Sequence, residues 1–295
     1  MRLVSYRRDG ALRHGYLVNE ASVGELGDGD LTALVAEQGG FASWRPPSTP
    51  AYPLADVVLT APLLRPGKLL GVAANYQDHV TEGGGPPLDK RNLVPRLFLM
   101  PPTAIVGPGD PIEMPAVSRE VDWEAELAVV IGQTAKDLEP ARALDVVAGY
   151  SVANDVSARS MDYGFPRDTG DKAVWFFDWL AGKWLDGFAP IGPYLVTPDE
   201  VSDPQDLGIE LRVNGVIRQE ASTKQMIFSV AELVAFASRL MTLEPGDVLL
   251  TGTPSGVGAA TGHYLAEGDE MTISIDGLGE LTNRVVSPGA LGGSR

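Results

Sequence analysis

Short apolar runs separated by glycine, proline and small polar residues recur along most of this chain. Residues 68–73, 121–131 and 247–250 have the length and apolar content of buried strands. Residues 141–147, which follow a proline, read as a short helix that leads into a further strand. These runs predict an architecture rich in strands and loops, with few long helices.

Turn and cap signals divide the chain further. Asp9-Gly10 and Asn214-Gly215 each lie between alternating segments, which is the pattern of a tight β-hairpin turn. Ser229 and Glu232 form a capping box that predicts the start of a helix. The apolar face of that helix is predicted to comprise Leu233, Phe236, Ala237 and Leu240.

The spacing of prolines indicates where the domains meet. Six prolines fall between residues 45 and 67, a composition typical of an extended connector. We therefore predict a small N-terminal domain with a proline-rich linker over residues 1–65, and a main domain over residues 66–288. Residues 289–295, rich in glycine, are predicted to form a flexible tail.

Composition excludes several classes of function. The 295 residues include no cysteine and three histidines, so any metal must be held mainly by oxygen. A net charge of −16 disfavours nucleic acid and anionic membranes as partners. There is no apolar run of about 18 residues and no apolar N-terminal segment, which favours a cytoplasmic protein.

Two carboxylates, Glu124 and Glu126, interrupt the apolar run at 121–131. Residues two apart on a strand share a face, so these acids would converge and would need a shared proton or a cation. Asp155 ends a later apolar strand, and three carboxylates suit Mg²⁺, Mn²⁺ or Ca²⁺ better than Zn²⁺. The alternatives are a solvated outer strand face and, for Asp155, an ordinary surface or capping acid.

Four further side chains are candidates for chemistry. His79 and Glu82 would share one face of a helical turn, where the carboxylate could orient a general base, although a surface pair is an alternative. Lys183 follows an aromatic cluster and could stabilise an oxyanion, or it could extend to solvent past core aromatics. Arg159 could bind a substrate carboxylate or form a surface ion pair.

A glycine-rich loop at residues 252–258 has neither the lysine of a P-loop nor the dinucleotide pattern. Its amides and the Thr253 hydroxyl could instead bind a carboxylate or an enolate. A tight turn without a ligand would explain the same glycines.

In their order along the chain, these segments resemble the fumarylacetoacetate hydrolase family, in particular bacterial acylpyruvate hydrolases and hydroxyheptadienedioate isomerases. The likeness covers residues 65–285. The motifs that carry it are Asn75-Tyr-x-Asp-His79-x-x-Glu82, Pro101-Pro102, Gly107-Pro-Gly-Asp-Pro111, Asp122-Trp-Glu-x-Glu126-Leu, Gly149-Tyr-x-Val-Ala-Asn-Asp155-Val-Ser-Ala-Arg159, Gly182-Lys183, Arg212-Val-Asn-Gly215, Met226-Ile-Phe-Ser229 and Leu243-Glu-Pro-Gly-Asp-Val-x-Leu-Thr-Gly-Thr-Pro-x-Gly-Val-Gly258.

The resemblance implies a mainly β (α+β) fold: a mixed β-sandwich roll preceded by a small N-terminal α/β domain, in a homodimer. It also implies a role for each matched residue. The expected site consists of Mg²⁺ or Mn²⁺ (or Ca²⁺ in a crystal) on Glu124, Glu126 and Asp155, the catalytic residues His79, Glu82 and Lys183, and the substrate contacts Tyr76, Arg159, Asp162 and Thr253.

The activity implied is hydrolysis of a carbon–carbon bond in an acylpyruvate or related 2,4-diketo acid. Alternatives on the same site are an oxaloacetate-type decarboxylase, a hydroxymuconate-type isomerase or decarboxylase, and a non-catalytic metal-binding protein. Two departures bear on the substrate. Asp162 stands where bacterial members often have glutamine, and Trp184 follows Lys183 where a small residue is usual.

Overall fold

A computed structural model describes residues 1–41 and 43–290 of the chain. The protein is mostly β, with five short α-helices. The strands are β1 (Arg2–Arg8), β2 (Ala11–Asn19), β3 (Ser22–Asp28), β4 (Ala51–Pro53), β5 (Val58–Thr60), β6 (Leu69–Ala73), β7 (Arg96–Met100), β8 (Ile105–Val106), β9 (Ile112–Glu113), β10 (Val121–Asp122), β11 (Ala125–Ile131), β12 (Val147–Asn154), β13 (Ser157–Ala158), β14 (Ala189–Val196), β15 (Gly208–Val213), β16 (Val216–Ser222), β17 (Val248–Leu250), β18 (Glu270–Ile275) and β19 (Gly279–Val286).

The α-helices are α1 (Thr32–Gln38), α2 (Gln77–Glu82), α3 (Lys172–Ala181), α4 (Val230–Leu240) and α5 (Gly258–Thr261). Single turns of 3₁₀-helix lie in several loops, and a longer 3₁₀-helix (Pro140–Val146) occupies the segment predicted to be helical before β12. No helix in the described part of the chain is both long enough and apolar enough to cross a membrane.

Two sheets account for most of the strands. A 12-stranded mixed sheet has the order β4-β3-β2-β1-β14-β12-β11-β17-β6-β7, with β5 added on β1 and β8 on β14. A five-stranded sheet has the order β16-β15-β18-β19-β9, and β10 pairs with β13 in a small ribbon. The predicted strand-rich α+β architecture is confirmed.

Strand β11 lies at the centre of the large sheet and is buried on both faces. Leu127 and Val129 pack in one core with residues of the five-stranded sheet, such as Leu211. Ala128 and Val130 alternate with them and pack in a second core beside α1. This double burial explains why the run at 121–131 is almost continuously apolar.

The N-terminal segment continues the large sheet. Strand β1 pairs antiparallel with β14, and Leu3 shares the second core with Ala128 and Val130. The predicted boundary near residue 65 falls between β5 and β6. The part of the predicted tail at 291–295 lies outside the described residues.

Both predicted hairpin turns are confirmed. Asp9 and Gly10 adopt φ of 50° and 77°, and Asn214 and Gly215 adopt 52° and 78°, as a two-residue turn of this kind requires. The register of β1 with β2, and that of β15 with β16, follow from these turns.

The capping box is confirmed at the start of α4, where Ser229 and Glu232 satisfy each other's backbone amides. The predicted apolar face was wrong at its end, because Leu240 is 57% exposed. Val230 and Val234 are buried instead, so the buried face begins nearer to the start of the helix than predicted and ends before Leu240.

Candidate active site and metal centre

Three carboxylates, Glu124, Glu126 and Asp155, converge in the interior and are called the acidic triad here. One carboxylate oxygen from each lies within 4.8 Å of the others, and all three residues are buried. The antiparallel pairing of β11 with β12 sets Ala125 opposite Asn154. The next residue, Asp155, donates its amide to the Glu124 carbonyl at 2.9 Å, which brings the two carboxylates together.

The predicted convergence of the glutamates is therefore confirmed, although the local geometry differs from the expectation. Glu124 precedes β11 and lies in the short extended segment between β10 and β11. The spacing along the sequence does not show that Asp155 lies near the glutamates. The register of β11 with β12 brings them together.

Two cations contact the triad. Lys183 is buried, and its Nζ donates to Glu124 Oε2 and to Asp155 Oδ2, both at 2.8 Å. Gly182 allows this approach, because a Cβ there would lie 2.1 Å from the Ala158 carbonyl oxygen. Arg159 contacts Glu124 from another side. The alternative left open by the sequence, in which Lys183 extends to solvent past core aromatics, is excluded by its burial.

Asp122 is a part of the site that had no role in the sequence analysis. It is fully buried and accepts a hydrogen bond from Arg159 Nε at 3.1 Å. Its carboxylate also accepts from the amides of Gly258 and Ala259, at 2.6 and 2.9 Å. Asp122 thus joins Arg159 to the glycine-rich loop. The signal available in the sequence was an acid directly preceding Trp123-Glu124 in an apolar run.

Burial and neighbouring charges give the three carboxylates of the triad different pKa values. Burial raises the pKa of Glu124, but Lys183 and Arg159 more than offset this and hold the pKa at about 2. Burial raises the pKa of Asp155 to about 6 despite Lys183. Burial, with Asp155 and Glu124 as negative neighbours, raises the pKa of Glu126 well above its usual value. The side of the triad occupied by Glu126 therefore lacks positive charge.

The donor set fits a hard divalent cation. Four buried carboxylates, the triad and Asp122, face the two cations Lys183 and Arg159, which leaves two negative charges uncompensated when all are ionised. Asp155 Oδ1 is buried without a hydrogen-bond partner among the described residues. An orphaned carboxylate oxygen beside an uncompensated double negative charge is what an oxygen-coordinated cation would satisfy.

Helix α2 carries the predicted histidine–carboxylate pair. His79 Nδ1 lies 2.7 Å from Glu82 Oε1, on one face of the helix. Glu82 Oε2 also accepts the amide of Gly256 at 2.7 Å, a contact the sequence analysis missed. The pair is therefore fixed to the glycine-rich loop and is not a free surface pair.

Glu124 and Asp155 of the triad open onto one cavity of about 480 Å³, together with His79 and Lys183. Its other wall is formed by apolar and aromatic side chains together with one arginine. The lining residues are Val72, Ala73, Ala74, His79, Arg96, Leu97, Phe98, Glu124, Asp155, Arg159, Trp175, Phe176, Trp179, Lys183 and Thr253. The sequence analysis missed Arg96 and Phe98, because neither lies in a motif that indicates chemistry.

Three residues singled out in the sequence, Tyr76, Asp162 and Trp184, do not line this cavity. Tyr76 is buried, and its hydroxyl lacks a hydrogen-bond partner; it does not line the cavity. Asp162 is exposed and accepts the amide of Gly164. Trp184 donates its indole N–H to the Leu99 carbonyl. Thr253, in contrast, lines the cavity.

Comparison with known proteins identifies the family. The family model described as fumarylacetoacetate (FAA) hydrolase C-terminal matches residues 68–286. This chain belongs to the fumarylacetoacetate hydrolase family. The family predicted from the motifs is thus confirmed, and its members are enzymes.

Relatives within the fumarylacetoacetate hydrolase family carry different activities in their names. "Oxaloacetate tautomerase fahd2, mitochondrial" of Xenopus laevis is 45% identical over 234 residues, which cover 79% of this chain and 69% of that protein. A 5-carboxymethyl-2-hydroxymuconate delta-isomerase from Mycobacterium smegmatis superposes with a TM-score of 0.77 at 35% identity, covering 97% and 100% of the two chains.

The maleylpyruvate hydrolase from Sphingobium sp. SYK-6 superposes with a TM-score of 0.76 at 31% identity, again covering 97% of this chain and 100% of the other. A tautomerase, an isomerase and a hydrolase are thus all similar to this chain. Family membership fixes the fold and the class of site, whereas the reaction must be argued from the residues.

Proposed function

We propose that this protein is a Mg²⁺- or Mn²⁺-dependent hydrolase that cleaves a carbon–carbon bond in an acylpyruvate or a related 2,4-diketo acid. The observation that carries the proposal is that His79, paired with Glu82, lines the same cavity as Glu124 and Asp155 of the acidic triad. A histidine oriented by a carboxylate is suited to take a proton from water, a step that hydrolysis needs and tautomerisation does not.

The polar end of the cavity suits a 2-oxo acid. Glu124, Glu126 and Asp155 would hold a divalent cation, which would supply Lewis acidity towards a 2-oxo acid. Arg159 uses Nε and Nη2 on Asp122 and Glu124, so its remaining donors are available to the substrate carboxylate.

The residues then divide the reaction between them. Glu82 fixes His79 through Nδ1, so Nε2 can accept a proton from water as the hydroxide adds to the distal carbonyl carbon. The carbon–carbon bond breaks with its electron pair remaining on the pyruvate fragment. Lys183 stabilises the enolate charge, and the proton that His79 took from water passes to the methylene carbon, which completes pyruvate. The second product is the carboxylic acid of the acyl arm.

Isomerisation or decarboxylation is the second candidate: a tautomerase and an isomerase are among the relatives, and decarboxylation is an alternative that the family resemblance implies. In either reaction, the same triad and Lys183 can help to stabilise the negative charge that develops on a 2-oxo acid. Neither consumes a water molecule in cleaving an acyl group. A non-catalytic metal-binding protein would have no use for the His79–Glu82 pair.

The experiment removes the metal, restores Mg²⁺ or Mn²⁺, and follows the loss of enol absorbance over acylpyruvates, 2,4-diketo sugar acids and oxaloacetate. Hydrolysis in ¹⁸O-water places the label in the carboxylate of the released acid. Metal-dependent consumption that labels no released acyl acid would instead support the second candidate, and release of pyruvate with CO2 from oxaloacetate would identify decarboxylation. No metal-dependent turnover of any compound would favour the non-catalytic alternative.

A further inference from the structure

We propose that the acyl arm of the substrate is bulky and apolar, preferably aromatic, and that it binds along a row of aromatic side chains in the cavity. The row consists of Phe98, Trp179 and Phe176, with Trp175 beside it. This inference rests on the proposed function and adds the class of acyl group.

The row begins at the catalytic lysine. Lys183 Nζ lies 5.7 Å from the centroid of the Phe98 ring. Phe98 meets Trp179 edge-to-face at a centroid distance of 5.2 Å, and Trp179 stacks on Phe176 at 5.9 Å and 27°. A substrate held by the polar end would therefore direct its arm onto these faces.

The outer part of the row is exposed although it is apolar. Trp175 and Phe176 are 62% and 55% exposed, and both line the cavity. Adjacent exposed aromatic side chains at a cavity wall are typical of a ligand site, because a ligand removes their apolar surface from water. An arm that covers them gains the hydrophobic free energy of removing their apolar surface from water.

The row is fixed in place from both sides. Phe98 lies over Gly71 of β6, where a Cβ would come within 2.2 Å of the ring, so this position must remain glycine for the ring to lie there. On α3, Asp178 forms a two-pronged ion pair with Arg167 at 2.6 and 2.7 Å. Aromatic surfaces that are already ordered lose little entropy when an arm binds.

Arg96 is the residue that would argue for a different arm. It shares a face of β7 with Phe98, lines the cavity and has no ion-pair partner in the described part of the chain. A terminal carboxylate on the arm could pair with it. Arg96 is exposed, however, and can stay hydrated, whereas the neighbouring wall of Val72, Leu97 and the row is apolar and aromatic and carries no charge.

The test compares three acylpyruvates on the metal-loaded enzyme, with methyl, phenyl and carboxyethyl arms. We expect kcat/KM for the phenyl arm to exceed that for the methyl arm by about tenfold to a hundredfold. Phe176→Ala and Trp175→Ala should lower this ratio. Phe177→Ala is the matched control, because Phe177 is on the same helix and 50% exposed but does not line the cavity.

A binding measurement separates this inference from the proposed function. 2-Oxo-4-phenylbutanoate lacks the second carbonyl and cannot be cleaved, and its affinity for the metal-loaded protein is compared with that of 2-oxobutanoate by calorimetry. Tighter binding of the phenyl compound, lost in Phe176→Ala, supports the apolar arm even if no acylpyruvate is hydrolysed. Hydrolysis with no preference for the phenyl arm overturns this inference and leaves the proposed function intact.

Two other results would also overturn it. A preference for the carboxyethyl arm that disappears in Arg96→Leu would assign the cavity to diacids. A change of oligomeric state in Phe176→Ala, with the arm preference unaltered, would assign the row to a contact between subunits. Thermal unfolding of each variant identifies any loss that is due to misfolding.

Discussion

The two ends of the cavity are built differently. The metal end is formed by residues at the ends of β11 and β12, which lie in the middle of the large sheet and are buried on both faces. The aromatic end lies largely on α3, whose residues 175–177 are exposed. Groups that must be placed within fractions of an ångström are thus held by central strands, and the surface that selects a substrate arm is held by a peripheral helix.

The difference predicts separable effects. Changes at the metal end should alter metal binding or chemistry for every substrate, because all substrates share the 2-oxo acid. Changes at the aromatic end should alter the preference among arms.

The largest effect is expected for His79→Ala. Removal of the general base should lower kcat by about 10²- to 10⁴-fold, because water is no longer deprotonated as it attacks. His79 is not a member of the triad, so the Mg²⁺ dissociation constant by calorimetry should stay near that of the wild type.

His263→Ala is the matched control, because His263 is an exposed histidine outside the cavity. Wild-type turnover by His79→Ala would refute the assignment of the general base. A large loss of Mg²⁺ affinity in that variant would mean that the two functions are not separable.

Glu126→Gln should weaken Mg²⁺ binding by more than about 100-fold, because even residues that only support metal ligands contribute about 10- to 100-fold. Burial and two negative neighbours raise the pKa of Glu126 well above its usual value, which favours its neutral form when no metal is bound. A neutral amide of the same shape should therefore leave metal-free stability little changed.

The measurement is thermal unfolding with and without Mg²⁺. Wild-type protein should gain stability on addition of the ion, and Glu126→Gln should not. Glu280→Gln, at an exposed position on β19, is the control. An equal gain in both variants would show that Glu126 is not a ligand.

Mg²⁺ affinity should rise with pH by up to about tenfold per unit for each proton released. Asp155 has a pKa of about 6 in the metal-free protein. The pKa of Glu126 is raised well above its usual value. A cation competes with these protons, so binding strengthens as pH rises through 6. Calorimetry in buffers of different ionisation enthalpy counts the protons released. An affinity independent of pH between 5 and 7 would contradict the electrostatics of the triad.

Sequence alone could predict much of the metal end. Glu124 and Glu126 stand out because they interrupt an apolar run, and the motif order identified the family and hence Asp155 and Lys183. The role of Asp122 could not be predicted from sequence, because it depends on contact with a loop more than a hundred residues away along the chain. The anchoring of Glu82 by Gly256 is hidden for the same reason.

The aromatic end was much less accessible to prediction. Trp175 and Phe176 read equally well as core residues, and only the tertiary structure exposes them in the cavity. Arg96 lies in a strand without a distinguishing pattern. Leu240 is a further example, because helical periodicity predicted its burial, whereas the neighbouring elements leave it exposed. Periodicity shows which side chains share a face but not where the covering element ends.

The smallest effect is expected for Asp162→Gln, which restores the residue that the family resemblance implies. The family resemblance implied a substrate contact at this position, but Asp162 is exposed, accepts the Gly164 amide and does not line the cavity. Surface changes of this kind usually alter free energies by less than about 0.5 kcal/mol, so kcat/KM should change by no more than about twofold for any arm. A larger change would mean that the segment before α3 reaches the substrate during turnover. The separation between a rigid metal end and a selecting aromatic end would then have to include this loop.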